Sequence, residues 1–247
     1  MSTPARAVLR SETRLFLREP GALFWVMAFP VLLLGILGAI PTFREPTEDL
    51  GGQRVIDLYV PITILLAAIL SAVQAMPAVL SAYREQQVLR RIATTPAKPW
   101  HLLAAQYVLH GGAVVVGAVG VLVVGRVVFG VSIPGSPVAY LTVLALALAA
   151  LLAVGGVISG ISSTTKASTA VGAVVAFPMM FSSGLWLPVQ AMPDLLRRIV
   201  ELTPMGAASL ALDQAAQGSW PDLQHIGVLL CWTIGLGLLA ARYFRWE

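Results

Sequence analysis

Histidine and serine are the residues whose chemistry could act inside the apolar segments of this chain. His110 and His225 are the titratable groups that lie at some depth there, because the centres of these segments contain no Asp, Glu, Lys or Arg. Such a histidine could relay protons, or it could activate Ser183, which precedes Gly184, as a nucleophile. Single histidines and Ser-Gly pairs in apolar helices more commonly serve packing, so the sequence favours neither a proton-driven carrier nor an intramembrane hydrolase.

Nucleotide and metal chemistry have no motif in the sequence. The phosphate-binding pattern GxxxxGK[ST] is absent, and the stretch SSTTKAST around Lys166 lacks the leading glycines. Cys231 is the single cysteine, so one chain cannot form a disulfide or a zinc site. We therefore expect no enzyme activity, cofactor or metal in this chain, and any ATP and Mg²⁺ that drive it should be bound by a separate polypeptide.

The composition is typical of a membrane protein. Of the 247 residues, 57% are hydrophobic and 11% are charged, whereas a soluble domain carries roughly 25% charged residues. Six stretches approach the roughly 20 apolar residues that a spanning helix needs. We predict an all-α integral membrane protein with one domain over 1–247 and spans at about 21–40, 58–82, 102–128, 138–161, 167–187 and 223–241.

The charges are distributed unevenly between the two sides that these spans define. The segments on the side of the N-terminus contain eleven basic and four acidic residues, and those on the other side contain five basic and eight acidic residues. Basic residues accumulate on the cytoplasmic side of membrane proteins. We therefore expect a multi-pass protein of the bacterial cell membrane with both termini in the cytoplasm.

Two further segments have amphipathic patterns. Over 4–19, Arg6, Arg10, Arg14 and Arg18 recur every four residues, which predicts an interfacial helix with one basic ridge. The outer segment, about 188–221, contains short helices, and we expect it to form a cap over the outer mouth.

The segment YREQQVLRRIATTPAKPW, 83–100, is a basic peptide between two apolar segments. Its arginines could pair with acidic groups of a soluble partner while Leu89 and Ile92 fill a cleft on that partner. Alternatively, the arginines could bind anionic lipid headgroups. The Thr95-Pro96 pair should end any helix in this segment.

The whole chain resembles the permease subunit of a type-2 ABC exporter, in the group of the daunorubicin-type drug export permeases. Three segments carry the resemblance: the arginine-rich N-terminal helix, YREQQVLRRIATTPAKPWHLLAAQ, and FPMMFSSGLWLPVQAMPDLLRRIVELTPMGAASLALDQAAQG. One departure concerns Gln87, which stands where the family commonly has glycine. Because glutamine propagates a helix better than glycine does, we expect the loop helix to continue from the second span without a break.

The resemblance implies a pair of permease chains, identical or different, with two ABC ATPase subunits docked beneath them, membrane lipids around them and no nucleic acid. It implies ATPase coupling through the N-terminal helix and the loop, with the following residues as candidates: Arg10, Arg14, Arg84, Glu85, Gln86, Gln87, Leu89, Arg90, Arg91, Ile92, Thr95 and Pro96.

We further predict an external gate formed by the cap and the outer half of the fifth span. Proline within that span makes a hinge possible, and we expect Leu195 and Ile199 to rest on the span ends in the closed state. The alternative is a fixed lid. The gate candidates are Pro178, Ser183, Gly184, Pro188, Pro193, Leu195 and Ile199.

The apolar, Met-containing spans suit a hydrophobic or amphiphilic small molecule, such as a drug or an antibiotic, as the exported substrate. Two alternatives remain open at this point: a permease for a lipid-linked polysaccharide or another lipid product, and a membrane scaffold without transport. Aromatic residues along the path would favour the polysaccharide.

Overall fold

A computed structural model of the chain describes residues 4–50, 52–88 and 99–243. The fold of this part is all-helical and contains no β-strand, apart from one isolated bridge between Pro46 and Arg54. The helices are α1 (Pro4–Phe16), α2 (Pro20–Gly38), α3 (Val55–Glu85), α4 (Pro99–Phe129), α5 (Pro137–Ile161), α6 (Thr165–Ser182), α7 (Asp194–Glu201), α8 (Pro204–Ala216) and α9 (Leu223–Tyr243).

Five of these helices are long and apolar enough to cross a membrane: α2, α3, α4, α5 and α9. They match five of the six predicted spans, and α3 extends three residues beyond each end of the prediction. Helix α6 corresponds to the remaining span, but it stops at Ser182 and begins with the polar residues Thr165 and Lys166. The sixth span therefore stays a prediction.

Helix α6 runs antiparallel to α3. Near its start, the Thr165 hydroxyl donates a hydrogen bond of 2.5 Å to Glu85 at the end of α3. Just beyond its other end, the Leu185 carbonyl accepts a hydrogen bond of 3.1 Å from Tyr59 near the start of α3. The two helices therefore lie side by side over most of their length.

The outer surface of the bundle is apolar. On α4, exposed valines recur along one stripe: Val108, Val115, Val119, Val123 and Val127. Their spacing of seven and then four residues places them on one helix face. An exposed apolar stripe on a spanning helix is suited to contact with lipid tails.

Helix α3 is the centre of the bundle, because its apolar stretch is 83% buried and it packs against α2, α4, α5 and α6. It is not a regular α-helix throughout. A π-helical segment, Leu70–Ala75, interrupts it, and Pro77 follows. Helix α2 has the same arrangement, with a π-helical segment at Phe24–Ala28 followed by Pro30.

The proline after each π-helical segment deprives a carbonyl of its usual donor. Proline has no N–H to offer the residue four positions earlier, which is Val26 in α2 and Val73 in α3. Each of these carbonyls lies against a glycine of a neighbouring helix. A Cβ atom added to Gly117 would lie 2.9 Å from the Val26 oxygen, and one added to Gly172 would lie 2.8 Å from the Val73 oxygen.

The closest approach joins α3 to α5. The Met76 N–H bonds to the Ser71 carbonyl in the π-helical pattern and not to that of Ala72, while the next residue, Pro77, has no N–H. The Ala72 oxygen instead faces Gly155, where an added Cβ would lie only 2.0 Å away. Small residues permit this kind of backbone contact between membrane helices, and Cα–H groups are weak donors to such carbonyls.

We predict that Gly155→Ala strongly destabilises the fold. The new methyl group would overlap the Ala72 oxygen, so the backbones of α3 and α5 must separate, and overpacking of this kind costs roughly 1–3 kcal/mol or more. Thermal unfolding in detergent, followed by size-exclusion chromatography, measures the effect.

The matched control is Gly235→Ala in α9, where nothing lies within 4 Å of the added carbon. Because alanine favours a helix over glycine by about 1 kcal/mol, this variant should be as stable as the wild type or slightly more stable. Equal melting temperatures for the two variants would contradict the close contact.

Candidate functional site

The N-terminal helix α1 presents the predicted basic ridge to the surface. Arg6, Arg10, Arg14 and Arg18 are all exposed, and they line one shallow groove. The helix ends at Phe16, three residues before the predicted end of the amphipathic segment. Its placement along a membrane surface stays a prediction, but its arginines are available to a binding partner.

The opposite face of α1 is fixed to the bundle by one carboxylate. Glu12 is the buried residue of this helix. Its Oε2 atom accepts a hydrogen bond from the Tyr83 hydroxyl on α3 and another from the Gln106 side-chain amide on α4, both 2.7 Å long. A helix with an exposed basic ridge is thus attached to two candidate spans.

Burial raises the pKa of Glu12 above its ordinary value of 4.5, and the hydrogen bonds from Tyr83 and Gln106 offset only part of this effect. The carboxylate is therefore more costly to ionise in the docked helix than in the unfolded chain.

The predicted coupling residues Arg84 and Glu85 have contacts within the chain. The Arg84 guanidinium donates hydrogen bonds of 2.9 and 2.6 Å to the carbonyls of Ser159 and Ser162, at the end of α5. Cations favour this end of a helix, and Glu85 bonds to Thr165 at the start of α6. The two side chains therefore hold the inner end of α3 against the turn between α5 and α6.

The prediction that the helix continues from the second span into the loop without a break is wrong. Helix α3 ends at Glu85, and Gln87 has a backbone φ of +57°, in the left-handed region that favours glycine. Glutamine adopts this conformation at a cost of roughly 1–2 kcal/mol. The position thus has the glycine-like backbone that the resemblance implies, although the side chain differs.

The remaining loop candidates lie outside the described residues. These are Leu89, Arg90, Arg91, Ile92, Thr95 and Pro96. Gln86 and Gln87, which precede them, are exposed. The part of the predicted coupling surface that the structure describes therefore consists of the basic ridge of α1 and the exposed glutamines at the end of α3.

A cavity of about 460 Å³ lies between α1 and the neighbouring ends of α2, α3, α4 and α6. Its lining includes the carboxylates of Glu12 and Glu19, the amide of Gln74, the imidazole of His110 and the indole of Trp25. The sequence analysis singled out His110 but not its neighbours. They come together because the π-helical segment of α3 turns Gln74 toward α1.

The predicted gate residues line the outer end of α6 and the segment after it. Pro178 lies within α6, and Ser183 caps that helix. Gly184 has a φ of +92°, and an added Cβ would lie 3.3 Å from the backbone of Pro188. This turn therefore requires glycine, both for its conformation and for the close approach of Pro188.

The apolar residues predicted to seal the gate are not the ones that pack. Leu195 and Ile199 of α7 are 75% and 57% exposed, so the predicted contact with the span ends is absent from the described chain. Instead, Val200 and Leu196 pack in a small cluster with Val189, Met192, Leu210 and Phe181. The packed side of the helix that begins after Pro193 is therefore the side of Leu196 and Val200, each one position further along the chain than the two residues chosen.

The outer cap is held together by one carboxylate. Asp213 of α8 is 8% exposed and accepts hydrogen bonds from the side-chain amides of Gln53, Gln190 and Gln217, at 3.2, 3.1 and 3.0 Å. These amides belong to the loop before α3, the segment before α7 and the end of α8. Sequence reasoning missed this cluster because three isolated glutamines form no motif.

A second cavity, of about 430 Å³, lies between α2, α3 and α6. Aromatic side chains from all three regions line it: Trp25, Phe29, Tyr59 and Trp186. The Trp25 and Phe29 rings are 4.9 Å apart.

The fold and these surfaces define a multi-pass helical membrane protein with a basic attachment helix on one end of the bundle and a compact cap on the other. A comparison with family sequence models matches residues 42–242 to the family described as ABC-2 family transporter protein. The chain therefore belongs to the ABC-2 transporter family, as a permease that works with an ATPase partner. A comparison with curated protein sequences gives no match.

We predict that the thermal stability of the protein falls as the pH rises above 4.5 and that Glu12→Gln removes part of this dependence. The raised pKa means that the folded state binds a proton more tightly than the unfolded state. The stabilisation that this tighter proton binding gives is complete below pH 4.5. It is lost as the pH rises through the higher pKa that Glu12 has in the folded state. Melting temperatures measured in detergent from pH 4.5 to 8 give the slope of thermal stability against pH.

Glutamine preserves an acceptor for Tyr83 and Gln106, so the variant should remain folded. Glu45→Gln, in the exposed loop after α2, is the control and should keep the wild-type slope. An unchanged slope in Glu12→Gln would mean that other groups determine the pH response.

Proposed function

We propose that this chain is the permease of an ATP-driven exporter of hydrophobic or amphiphilic small molecules, in the daunorubicin-type group. One observation carries the coupling part of this proposal. The basic ridge of α1 is exposed while Glu12, on its other face, is bonded to α3 and α4. A soluble ATPase that binds the ridge can thus move the spans, because α1 is attached to them.

In this proposal two ATPase subunits bind and hydrolyse ATP with Mg²⁺, and they act on a pair of permease chains, identical or different. Arginine suits the attachment, since its guanidinium pairs with carboxylates in two-point hydrogen bonds. We also include Leu89, Arg90 and Arg91, which lie outside the described residues, in the proposed ATPase contact because of their charge and apolar character. The complex lies in the bacterial cell membrane with the ATPases on the cytoplasmic side.

The apolar interior supports the proposed substrate class. The cavity between α2, α3 and α6 is lined by leucines, Met180 and aromatic rings, a lining that suits amphiphilic molecules better than ions. Its aromatic side chains also support the second candidate, a permease for a lipid-linked polysaccharide, because sugar rings stack on such side chains. Reconstituted complexes given either fluorescent amphiphiles or a lipid-linked oligosaccharide separate the two.

The outer cap and the end of α6 form the external gate in this proposal, with Pro178 as the hinge of α6. The Asp213 cluster links the segments of the cap to one another and, through Gln53, to the loop before α3, so this loop moves with the cap on the hinge. Leu195 and Ile199, exposed in the single chain, are available to the second permease chain or to lipid.

Helix α6 is the sixth span in this proposal. Its 18 residues extend roughly 27 Å, close to the roughly 30 Å of a hydrocarbon core. It also runs beside α3, which is itself a candidate span, and is tied to it near both ends.

The test of function is ATP-dependent transport by the permease reconstituted with an ABC ATPase. We predict that Arg10→Glu combined with Arg14→Glu lowers recovery of the ATPase roughly tenfold or more, because the reversed charges repel the acidic groups that the arginines would pair with. Uptake of a fluorescent amphiphile into inverted vesicles should fall in proportion, while the melting temperature of the permease stays unchanged.

The matched control is Arg197→Glu combined with Arg198→Glu, the same change of charge on α7 at the opposite end of the bundle. It should retain the ATPase. Normal ATPase recovery with the α1 variant would assign the ridge to lipid binding, and ATP hydrolysis without uptake of either substrate class would favour a scaffold.

The orientation is tested with single cysteines in a Cys231→Ser background. We predict that an impermeant thiol reagent labels Glu45→Cys and Ser219→Cys in intact cells but not Gln86→Cys or Lys166→Cys. All four positions are exposed, and none takes part in the Asp213 cluster. Protection of Ser219→Cys would mean that α6 does not cross the membrane.

A further inference from the structure

The cavity beside α1 contains a carboxylate without a counter-ion. Both hydrogen bonds to Glu12 go to its Oε2 atom, and its Oε1 atom accepts none from the described residues. No ion pair among those residues involves Glu12, although it is 8% exposed. Buried carboxylates are normally paired with a cation, so the position is suited to a positively charged ligand.

A second group in the same cavity also lacks a partner. His110 is 1% exposed, and its Nδ1 atom is 3.0 Å from the Ser71 hydroxyl. Its Nε2 atom has no hydrogen-bond partner among the described residues. Both His110 and Glu12 line the cavity. A buried polar atom of this kind requires a partner, and here a ligand in the cavity can provide it.

The rest of the lining is suited to the apolar part of such a ligand. Phe16 and Trp25 contribute aromatic rings, and Val26 and Leu70 contribute aliphatic side chains. Aromatic faces attract organic cations through their π electrons. The volume of about 460 Å³ falls within the range of roughly 300–1,000 Å³ that is usual for small-molecule sites.

We propose that this cavity binds an amphiphilic organic cation, with its charged group at Glu12 and its apolar groups against Phe16 and Trp25. The proposal rests on the proposed export function and specifies the substrate class, since it adds a positive charge to the apolar molecule. It also places the first binding site beside the helix that receives the ATPase, next to the cavity between α2, α3 and α6, with which it shares Trp25 and Leu70.

Access to the cavity is available from the membrane side of α1. Leu15, Glu19 and Trp25 line the cavity and are themselves exposed. Leu15 and Trp25 lie on either side of the short connection between α1 and α2, and Glu19 lies within it. A molecule dissolved in the adjacent leaflet can therefore enter with its apolar part in lipid and its charge near Glu19.

The experiment measures binding to the purified full-length permease without an ATPase. The probes are tetraphenylphosphonium and tetraphenylborate, which have similar shapes and opposite charges. Tetraphenylphosphonium should bind, and Glu12→Gln should weaken its binding roughly tenfold or more, because it removes the negative charge that attracts the cation while keeping an acceptor for Tyr83. Glu45→Gln should bind as the wild type does. Equal binding of the two probes, or unchanged binding in Glu12→Gln, would overturn the proposal.

Trp25→Leu is the second variant, and because this side chain is half-exposed the fold should tolerate the change. It should weaken the binding of the cation and reduce the quenching of tryptophan fluorescence on binding. Wild-type binding and quenching in this variant would also contradict the site.

Nanodiscs distinguish a free organic cation from the cationic headgroup of a lipid as the source of the ligand. Phosphatidylglycerol discs should leave the site free, and adding phosphatidylethanolamine should not lower the affinity for tetraphenylphosphonium if the ligand is a free molecule. Competition by phosphatidylethanolamine would support the cation site and assign it to a lipid headgroup. Because no ATPase is present, a negative binding result would contradict the cation site but not the proposal of ATP-driven export. A negative result in the Arg10 and Arg14 experiment would contradict ATPase attachment to α1 but not the cation site.

Discussion

The contact between the Ala72 carbonyl and Gly155 is the constraint on which the arrangement of the bundle depends. Helix α3 is central, and a side chain at Gly155 would force α5 away from it. Similar contacts join α2 to α4 and α3 to α6. There, carbonyls that a later proline leaves without their usual N–H donor face Gly117 and Gly172. In lipid the hydrophobic effect does not drive helix association, so close backbone packing of this kind supplies much of the specificity.

The irregular turns that create these contacts also create the polar cavity. In a regular helix each carbonyl would bond within its own helix, and the side chains would keep a period of 3.6 residues. The π-helical segment of α3 shifts this register, with the result that Ser71 contacts His110 and Gln74 lines the cavity beside Glu12. Irregular turns in helices frequently occur at functional sites, and here the segment that packs the bundle also lines the proposed cation site.

Composition and charge were sufficient to predict the helical membrane fold and five of the span positions, because apolar length is a strong local signal. They could not predict the π-helical segments. A proline in a span indicates that the helix is distorted, but it does not identify which backbone carbonyl the distortion exposes. The basic ridge could be predicted because arginine recurs every four residues in the sequence. Glu12, in contrast, is 71 residues from Tyr83 and 94 residues from Gln106. Such contacts follow from packing, and no local pattern contains them.

The geometry of α3 brings the two proposed attachment surfaces to one element. Tyr83 receives α1 through Glu12, and Gln87, four residues further on, begins the segment that leads into the basic loop. Between them, Arg84 and Glu85 fix the same turn to α5 and α6. A force on either α1 or the loop therefore acts on one turn of α3. The glycine contacts hold α3 against α5 and α6 at Ala72 and Val73, and the other end of α3 reaches the cap region through Tyr59.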